Sequence, residues 1–173
     1  MHRWIALTSA LWFCTGEGLT YAEGGFPVRI GQSGEYLELE YSNNGQIVKD
    51  HLPLYRAGNV RYFTAGVGLE ERQAEYPPFS LKLIFTAGGK PYLSGVDVLI
   101  QPLTGGAVIK IPNEQIQGPW LFVDLPSGTY DIVATYGGQT RSSKGVTITA
   151  GKSKTLYLRW AQDAGVTVPL PNE

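Results

Sequence analysis

The stretch LPSGTYDIVATYGG, residues 125–138, decides the fold class of this chain. Along its centre, apolar or aromatic side chains recur at every second position, at Tyr130, Ile132, Ala134 and Tyr136. That period is typical of a β-strand with one buried face. A Pro-Ser-Gly triplet precedes the strand and a Gly-Gly pair follows it, and both are turn-forming sequences. The stretch therefore predicts a strand bounded by two turns.

The same arrangement repeats on both sides of this strand, where short alternating segments are separated by glycine-rich or proline-rich turns. The predicted strands cover residues 80–86, 95–101, 107–111, 119–125, 129–136, 140–149 and 154–160. Because no helix-forming segment separates these seven strands, a parallel α/β sheet is excluded and an all-β, antiparallel sandwich is predicted. Its predicted core residues are Leu81, Leu83, Phe85, Val96, Val98, Ile100, Leu121, Val123, Leu125, Tyr130, Ile132, Ala134, Tyr136, Val146, Ile148, Leu156, Leu158 and Trp160.

Residues 23–65 form a predicted N-terminal β extension. The segment YLELEY, residues 36–41, alternates apolar and acidic side chains and predicts a half-buried strand. The Asn-Gly pair at residues 44–45 predicts a hairpin turn, because both residues tolerate positive φ. A further strand is predicted at residues 59–63.

Two segments differ from this β pattern. Residues 66–78 predict a short helical linker of one or two turns, which ends before Pro77 because the residue preceding a proline disfavours the helical conformation. Residues 161–173 contain Pro169 and Pro171 and predict a flexible tail. The domain predicted between these two segments spans residues 79–160.

Residues 1–22 have the pattern of a cleavable signal peptide. Arg3 supplies a positive charge, and residues 4–14 are an uncharged, mostly apolar run. Thr20 and Ala22 place small residues at the −3 and −1 positions, which predicts cleavage after Ala22. The apolar run is shorter than the roughly 20 residues of a transmembrane helix, so no membrane span is predicted after cleavage.

Cleavage would remove Cys14, the only cysteine, and leave His51 as the only histidine. The mature chain would then lack disulfides, thiol nucleophiles and cysteine–metal sites. Exported proteins without disulfides are typical of bacteria, so a periplasmic or secreted location is predicted. A lipoprotein acylated at Cys14 and an uncleaved anchor are the alternatives, and Phe13 disfavours the lipoprotein because its processing requires Gly or Ala at that position.

Residues 125–138, together with the segment VTITAG at residues 146–151, resemble carboxypeptidase regulatory-like domains. These domains have the transthyretin-like (prealbumin-like) sandwich fold, and GVDV at residues 95–98 is similar to their first strand. The resemblance covers residues 80–160. It implies an accessory, binding or positioning role and no peptidase activity. The segment GVGLEER, residues 66–72, is also similar to segments of small exported proteobacterial proteins.

Two residues of this motif have predicted structural roles. Gly128 is expected to permit the tight turn that leads into the next strand. Tyr130 is expected to bury its ring and to direct its hydroxyl to a nearby backbone group, as tyrosine corners do in sandwich folds.

Composition excludes several classes of chemistry. The net charge is −1 at pH 7 and no long basic run occurs, so nucleic-acid binding is not predicted. No nucleophile motif accompanies His51, which is therefore predicted to be a surface histidine. The pairs Glu38 with Glu40 and Glu70 with Glu71 are predicted to be solvated faces rather than the two carboxylates of a glycosidase. No catalytic residue, metal ligand or cofactor is predicted.

Several aromatic residues lie at positions that the alternation does not place in the core. They belong to the set Trp120, Phe122, Trp160, Tyr92, Tyr76 and Tyr55, of which Trp160 is also a predicted core residue. Exposed rings bind sugar faces or peptide segments, but rings at strand ends can instead plug the ends of a sandwich, and that interpretation is favoured. The predicted partner contacts are Glu70, Glu71 and Arg72 in the linker, and Trp120.

These observations predict an exported, non-enzymatic β-sandwich module that binds or scaffolds a protein or glycan partner in the bacterial envelope. One alternative is a carbohydrate-binding or carbohydrate-cleaving protein that uses exposed aromatics and carboxylates. Another is a subunit of an extracellular assembly.

Overall fold

The structure is a computed structural model that describes residues 25–88 and 93–161. The predicted signal peptide with its cleavage site, Tyr92, and all of the predicted tail except Ala161 lie outside these residues. No helix in the described part of the chain has the length and apolar character that crossing a bilayer requires. The prediction of a mostly β protein is confirmed.

Strands account for most of the described chain, with one short α-helix and one 3₁₀ turn. In chain order the elements are β1 (Phe26–Ile30), β2 (Tyr36–Asn43), β3 (Gln46–Pro53), β4 (Tyr55–Ala57), β5 (Val60–Ala65), α1 (Leu69–Gln73), β6 (Ala74–Glu75), β7 (Leu81–Ala87), β8 (Asp97–Pro102), β9 (Ile109–Ile111), the 3₁₀ turn (Asn113–Gln115), β10 (Trp120–Val123), β11 (Gly128–Tyr136), β12 (Gln139–Ile148) and β13 (Lys154–Trp160).

The strands form three sheets. The central sheet has five strands in the order β13-β7-β10-β5-β4. The outer sheet has four strands in the order β12-β11-β8-β9, and the N-terminal sheet has four in the order β3-β2-β1-β6. The outer and N-terminal sheets both pack on the central sheet, one on each of its faces.

The main core lies between the central sheet and the outer sheet. Its buried residues include every predicted core residue except Tyr136 and Leu156, which pack against it half-buried. The residues that alternation did not predict are Val60, Tyr62, Leu93, Ile109, Ile111 and Ile116. Burial of this apolar set is the main force that holds the two sheets together.

A second core lies on the opposite face of the central sheet, beneath the N-terminal sheet. Its buried residues are Val28, Leu37, Leu39, Leu54, Phe63, Ala65, Phe79 and Phe122. Phe63 and Phe122 are stacked with their ring centroids 4.6 Å apart. The strands that supply this core are β1, β2, β5 and β10, so it covers the central sheet on its β5–β10 side.

Strands β7 to β13 overlap the seven predicted strands, but one pair departs from the antiparallel prediction. β13 runs parallel to β7, with Lys154 beside Leu81 and Trp160 beside Ala87. Between β12 and β13 the chain crosses from the outer sheet to the central sheet instead of folding back as a hairpin. Antiparallel pairing follows from a hairpin connection, so the crossover removes that constraint.

The hairpin predicted in the N-terminal extension is confirmed. β2 and β3 pair along their full length, and their turn residues Asn44 and Gly45 have φ of 51° and 78°. Positive φ at both residues is the geometry of a type I′ turn. Residues 55–65 of the extension belong instead to the central sheet, where β5 pairs with both β4 and β10.

The predicted helical linker contains a single helical segment. Helix α1 covers only Leu69–Gln73, and β6 follows it directly and pairs parallel with β1. The linker therefore brings the chain back to the N-terminal sheet before it enters β7.

Candidate functional site

The tyrosine corner that the motif predicts is present at the start of β11. The ring of Tyr130 is buried in the main core, and its hydroxyl donates a hydrogen bond to the carbonyl oxygen of Pro126 at 2.8 Å. Burial raises the pKa of Tyr130, so the hydroxyl remains a donor at neutral pH. This contact fastens the turn before β11 to the core.

The predicted role of Gly128 requires a correction. Gly128 does not have a positive φ, so the turn does not need a glycine for its backbone conformation. Instead, a Cβ at this position would lie 3.3 Å from Cε2 of Tyr130. The glycine therefore leaves room for the tyrosine ring.

Glu71 and Arg72, two predicted partner contacts, hold the loop that precedes α1. Oε2 of Glu71 accepts hydrogen bonds from the amides of Gly66 at 2.7 Å and Val67 at 3.1 Å. Nε of Arg72 donates to the carbonyl oxygen of Gly66 at 2.8 Å, and Nη2 donates to that of Val67 at 3.3 Å. These side chains therefore fix the shape of the loop, and whether they also contact a partner stays a prediction.

The fixed loop displays two apolar side chains and lies against Trp120. Val67 is 61% exposed and Leu69 is 64% exposed. Gly66 has φ of 95°, and a Cβ there would lie 2.8 Å from Cδ2 of Trp120. The structure thus brings the linker and Trp120 together, although they are far apart in the sequence. Glu70, the remaining predicted contact, is half-buried in the first turn of α1.

Trp120 belongs to a row of side chains that crosses the central sheet on the face away from the main core. The pairing register places Ala65, Trp120, Ile84 and Tyr157 side by side on β5, β10, β7 and β13. Trp120 is half-buried, Ile84 is buried, and Tyr157 is 58% exposed. The row begins at Ala65, which the N-terminal sheet covers, and ends at Tyr157 on the edge strand β13.

Two basic side chains flank this row. Nζ of Lys82 lies 3.5 Å from the centroid of the Trp120 ring and 4.9 Å from that of Phe122. Partial burial lowers the pKa of Lys82. On the other side of the row, the guanidinium carbon of Arg159 lies 5.7 Å from the centroid of Tyr157. Both contacts have cation–π geometry.

We call the surface formed by Lys82, Ile84, Trp120, Tyr157 and Arg159 the Trp120 face. It is the β7–β13 half of the central sheet's outward side, and the second core includes no residue from β7 or β13. Strands β7, β10 and β13 contain no aspartate or glutamate. The face is therefore both aromatic and cationic.

The cations of the Trp120 face, like most basic residues of the described chain, form no ion pair there. The ion pairs found there are Lys49 with Glu38 and Glu40, His51 with Glu38, and Arg61 with Asp124. Neither Lys82 nor Arg159 takes part in them. One residue beside Arg159, Thr86, is buried, and its hydroxyl has no hydrogen-bond partner in the described part of the chain.

The residues considered for acid–base chemistry lie on the exposed side of the N-terminal sheet. The side chain of His51 is 56% exposed, and its Nε2 lies 3.7 Å from Oε2 of Glu38. Nζ of Lys49 lies 3.0 Å from Glu38 and 3.3 Å from Glu40. The hydrogen bond from Lys49 lowers the pKa of Glu38, which favours a permanently charged carboxylate. His51 thus lies at the surface, as predicted.

Two of the aromatic residues considered earlier are buried. Trp160 lies in the main core and its indole donates to the carbonyl oxygen of Gln139 at 3.0 Å, so it fills the end of the core as the favoured interpretation predicts. Phe122, which the alternation does not place in the main core, is buried in the second core beneath the N-terminal sheet. The continuous apolar run of β10, WLFV, was a signal for burial on both faces.

A cleft of about 560 Å³ opens at one end of the two facing sheets. It lies between residues 57–60, residues 102–110 and the Pro126–Tyr130 region, and within the described chain Lys110 is the only charged residue that lines it. In the described ranges, no group of three or more His, Cys, Asp and Glu side chains is arranged to hold a metal ion.

No protein-family model matches the chain, and no curated protein matches it.

Proposed function

We propose that this chain is an exported, non-enzymatic β-sandwich module that docks a partner in the bacterial envelope through the Trp120 face. Within this proposal, residues 79–160 form a sandwich of the transthyretin-like type. The N-terminal β extension and the short helical linker then support the docking surface.

The observation that carries the proposal is the combination of aromatic and basic side chains on the β7–β13 half of the sheet, where Tyr157 and Arg159 are exposed. Tyr157 is 58% exposed although it stands beside Trp120 and the buried Ile84. Trp, Tyr and Arg are the residue types that contribute most to binding energy in protein interfaces. Because these side chains project from strands with a packed core behind them, the surface is preorganised and loses little entropy on binding.

The sandwich type is supported by the chain's own motif. Strands β7 to β13 occupy the segments that the resemblance covers, and the Tyr130 hydroxyl fastens the turn before β11. Export is supported by the apolar run and the small residues before Glu23.

A binding role rather than catalysis is supported by the way the chain uses its ionisable side chains. Glu38 and Glu40 are held by Lys49, and the Glu71 carboxylate holds the loop before α1. A general acid or base needs access to a substrate proton. These carboxylates instead stabilise the chain itself.

The same contacts give little support to the carbohydrate alternative. Sugars stack on open aromatic faces, whereas the Trp120 ring carries the Lys82 ammonium group on one side. On the Trp120 face, Tyr157 alone presents a largely exposed ring.

Site-specific photo-crosslinking tests the docking surface. A photoreactive phenylalanine analogue is placed at position 157 or at position 47, because Tyr157 and Ile47 are both 58% exposed and lie on different sheets. After irradiation of intact cells, the proposal expects a crosslinked product of discrete mass from position 157 and none from position 47. Equal products from both positions, or a product from position 47 alone, would refute it.

Export is tested independently by mass spectrometry of the protein recovered from the envelope fraction. The N-terminus is expected at Glu23. Recovery of periplasmic protein that still begins at Met1 would contradict export by a cleaved signal peptide.

A further inference from the structure

We propose that the occupant of the Trp120 face is an extended acidic segment of a partner protein, in which two carboxylates flank one apolar side chain. This inference rests on the proposed function and specifies the chemistry of the partner. It follows from the charges, the spacing and the apolar centre of the face.

The charges of the face call for a carboxylate. Lys82 and Arg159 contact aromatic rings, and in the described chain neither has an acidic side chain within ion-pair distance. Most basic residues there share that property, but Lys82 is also partly buried against Trp120 and Phe122. A cation–π contact leaves the hydrogen-bond donors of the cation free. A carboxylate on the partner would pair with these donors in a partly dehydrated setting, where such hydrogen bonds are strong.

The spacing of the cations sets the spacing of the carboxylates. Arg159 of β13 pairs with Thr86 of β7. Thr86 is four residues after Lys82, so both side chains lie on the same side of β7. Four residues along a strand span about 13 Å. That distance separates the backbone positions, and the two cationic groups lean from either side towards the Ile84 row, where they contact Trp120 and Tyr157. Carboxylates at positions i and i+4 of an extended segment start from the same backbone separation and point to the same side.

The apolar side chain is expected midway between the carboxylates. Ile84 lies between Lys82 and Thr86 on β7, with Trp120 and Tyr157 on either side of it. A residue at position i+2 of the docked segment would contact the tyrosine and tryptophan rings. That placement puts a hydrophobic anchor at the centre and charged pairs at the rim, as in protein interfaces.

The environment of Lys82 gives this arrangement further support. Burial lowers its pKa, because a charged ammonium group loses hydration beside the two aromatic rings. A docked carboxylate would favour the charged form and offset that cost.

Peptide binding to the purified protein tests the inference. A fluorescein-labelled peptide with the alternating core E-T-V-T-E is compared with Q-T-V-T-Q and with E-E-V-T-T, which has the same charge at the wrong spacing. Fluorescence anisotropy is followed up to about 1 mM protein, the weak end of specific recognition. The E-T-V-T-E peptide is expected to bind about tenfold more tightly than E-E-V-T-T, which keeps one of the two ion pairs, and about a hundredfold more tightly than Q-T-V-T-Q, which keeps neither. In NMR spectra, binding should shift the indole Nε1–H signal of Trp120 and leave that of the buried Trp160 unchanged.

Variants of the face should remove this preference. Lys82→Met keeps the apolar stem, and Arg159→Met changes an exposed residue whose loss does not disturb the core. Each is expected to weaken binding of E-T-V-T-E about tenfold and to leave Q-T-V-T-Q unchanged. Lys144→Met, an exposed lysine of the outer sheet, is the matched control and should have no effect.

Several results would overturn the inference. The inference fails if E-T-V-T-E does not bind or if the three peptides bind equally. It also fails if Lys144→Met and Lys82→Met weaken the binding of E-T-V-T-E by the same factor. A dimer in light scattering that Lys82→Met dissociates would identify a second copy as the occupant instead. Tighter peptide binding after deletion of residues 162–173 would identify that segment as the occupant. If the peptides do not bind but position 157 still gives a crosslinked product in cells, the Trp120 face is a docking surface and only the acidic nature of its partner is rejected.

Discussion

Replacing Glu71 with alanine should destabilise the protein, whereas replacing its neighbour Glu70 should not. One oxygen of Glu71 accepts hydrogen bonds from the amides of both Gly66 and Val67, at 2.7 and 3.1 Å. Those contacts hold the loop that lies against Trp120. Glu70 occupies the preceding position of α1 and carries the same charge, so it is a matched control.

The magnitude follows from the two hydrogen bonds. A hydrogen bond to a charged group contributes about 1.5–3 kcal/mol to stability. Glu71 is half-buried and the Val67 amide is exposed, so water replaces part of the loss. We therefore expect Glu71→Ala to lower the free energy of unfolding by about 2 kcal/mol in total. Glu70 takes no part in these hydrogen bonds, so Glu70→Ala is expected to change the free energy of unfolding by no more than about 0.5 kcal/mol.

Urea denaturation measures both variants under the same conditions. With a denaturant slope of about 1–3 kcal/mol per molar, Glu71→Ala should lower the midpoint by about 1 M. Amide exchange at Gly66 and Val67 should accelerate in the same variant, because their protons lose their acceptor. If the two variants unfold at the same urea concentration, the carboxylate does not hold the loop and the reasoning fails.

Three further substitutions test other contacts. Tyr130→Phe removes the hydrogen bond to Pro126 and should cost about 1 kcal/mol in chemical denaturation; an unchanged midpoint would exclude a stabilising tyrosine corner. Thr86→Val replaces a buried hydroxyl that has no partner in the described residues with a methyl group, and should raise stability by about 1 kcal/mol; a loss of stability would show that the hydroxyl is satisfied. Glu38→Gln should lower the thermal midpoint more at pH 7 than at about pH 3, which lies below the usual carboxyl pKa. The pKa of Glu38 is lowered in the folded state, so its stabilisation is present above the unfolded pKa and is lost as the pH falls through the folded value. An equal difference at both pH values would show that the Lys49 contact contributes nothing.

Alternation predicted the strands between residues 80 and 160 because most of them have only one face in the main core. Leu83 and Ile132 are fully buried, and the residues next to them in sequence point away from that core. Strand β10 departs from this pattern. Phe122 is buried on its other face because a second sheet covers it, and that sheet is formed by residues too distant in sequence for a local pattern to reveal.

The pairing of distant strands was also beyond local sequence patterns. The Asn44-Gly45 turn joins neighbouring segments, so its hairpin could be read from a short window. By contrast, β5 pairs with β10, which lies far from it in the sequence, and β13 pairs in parallel with β7. These pairings join residues that are far apart in the sequence, so a short window does not contain both partners.

The candidate site was predictable only in part for the same reason. Trp120 was recognised as an aromatic residue outside the predicted alternation. Lys82, Tyr157 and Arg159 join it only because β13 lies beside β7 in parallel register. Glu71 was recognised by its position in the linker, but its hydrogen bonds depend on the path of the loop around Gly66.

The state of the native protein in a gently solubilised envelope extract tests the docking claim most directly. Size-exclusion chromatography is run on the wild-type chain, on the double variant Tyr157→Ala/Arg159→Ala and on Ile47→Ala, whose residue has the same exposure as Tyr157. We predict that the wild type and Ile47→Ala elute in a larger complex and that the double variant elutes at the size of the free chain. A wild type that elutes as the free chain, or a complex that survives the double substitution, would contradict docking through the Trp120 face.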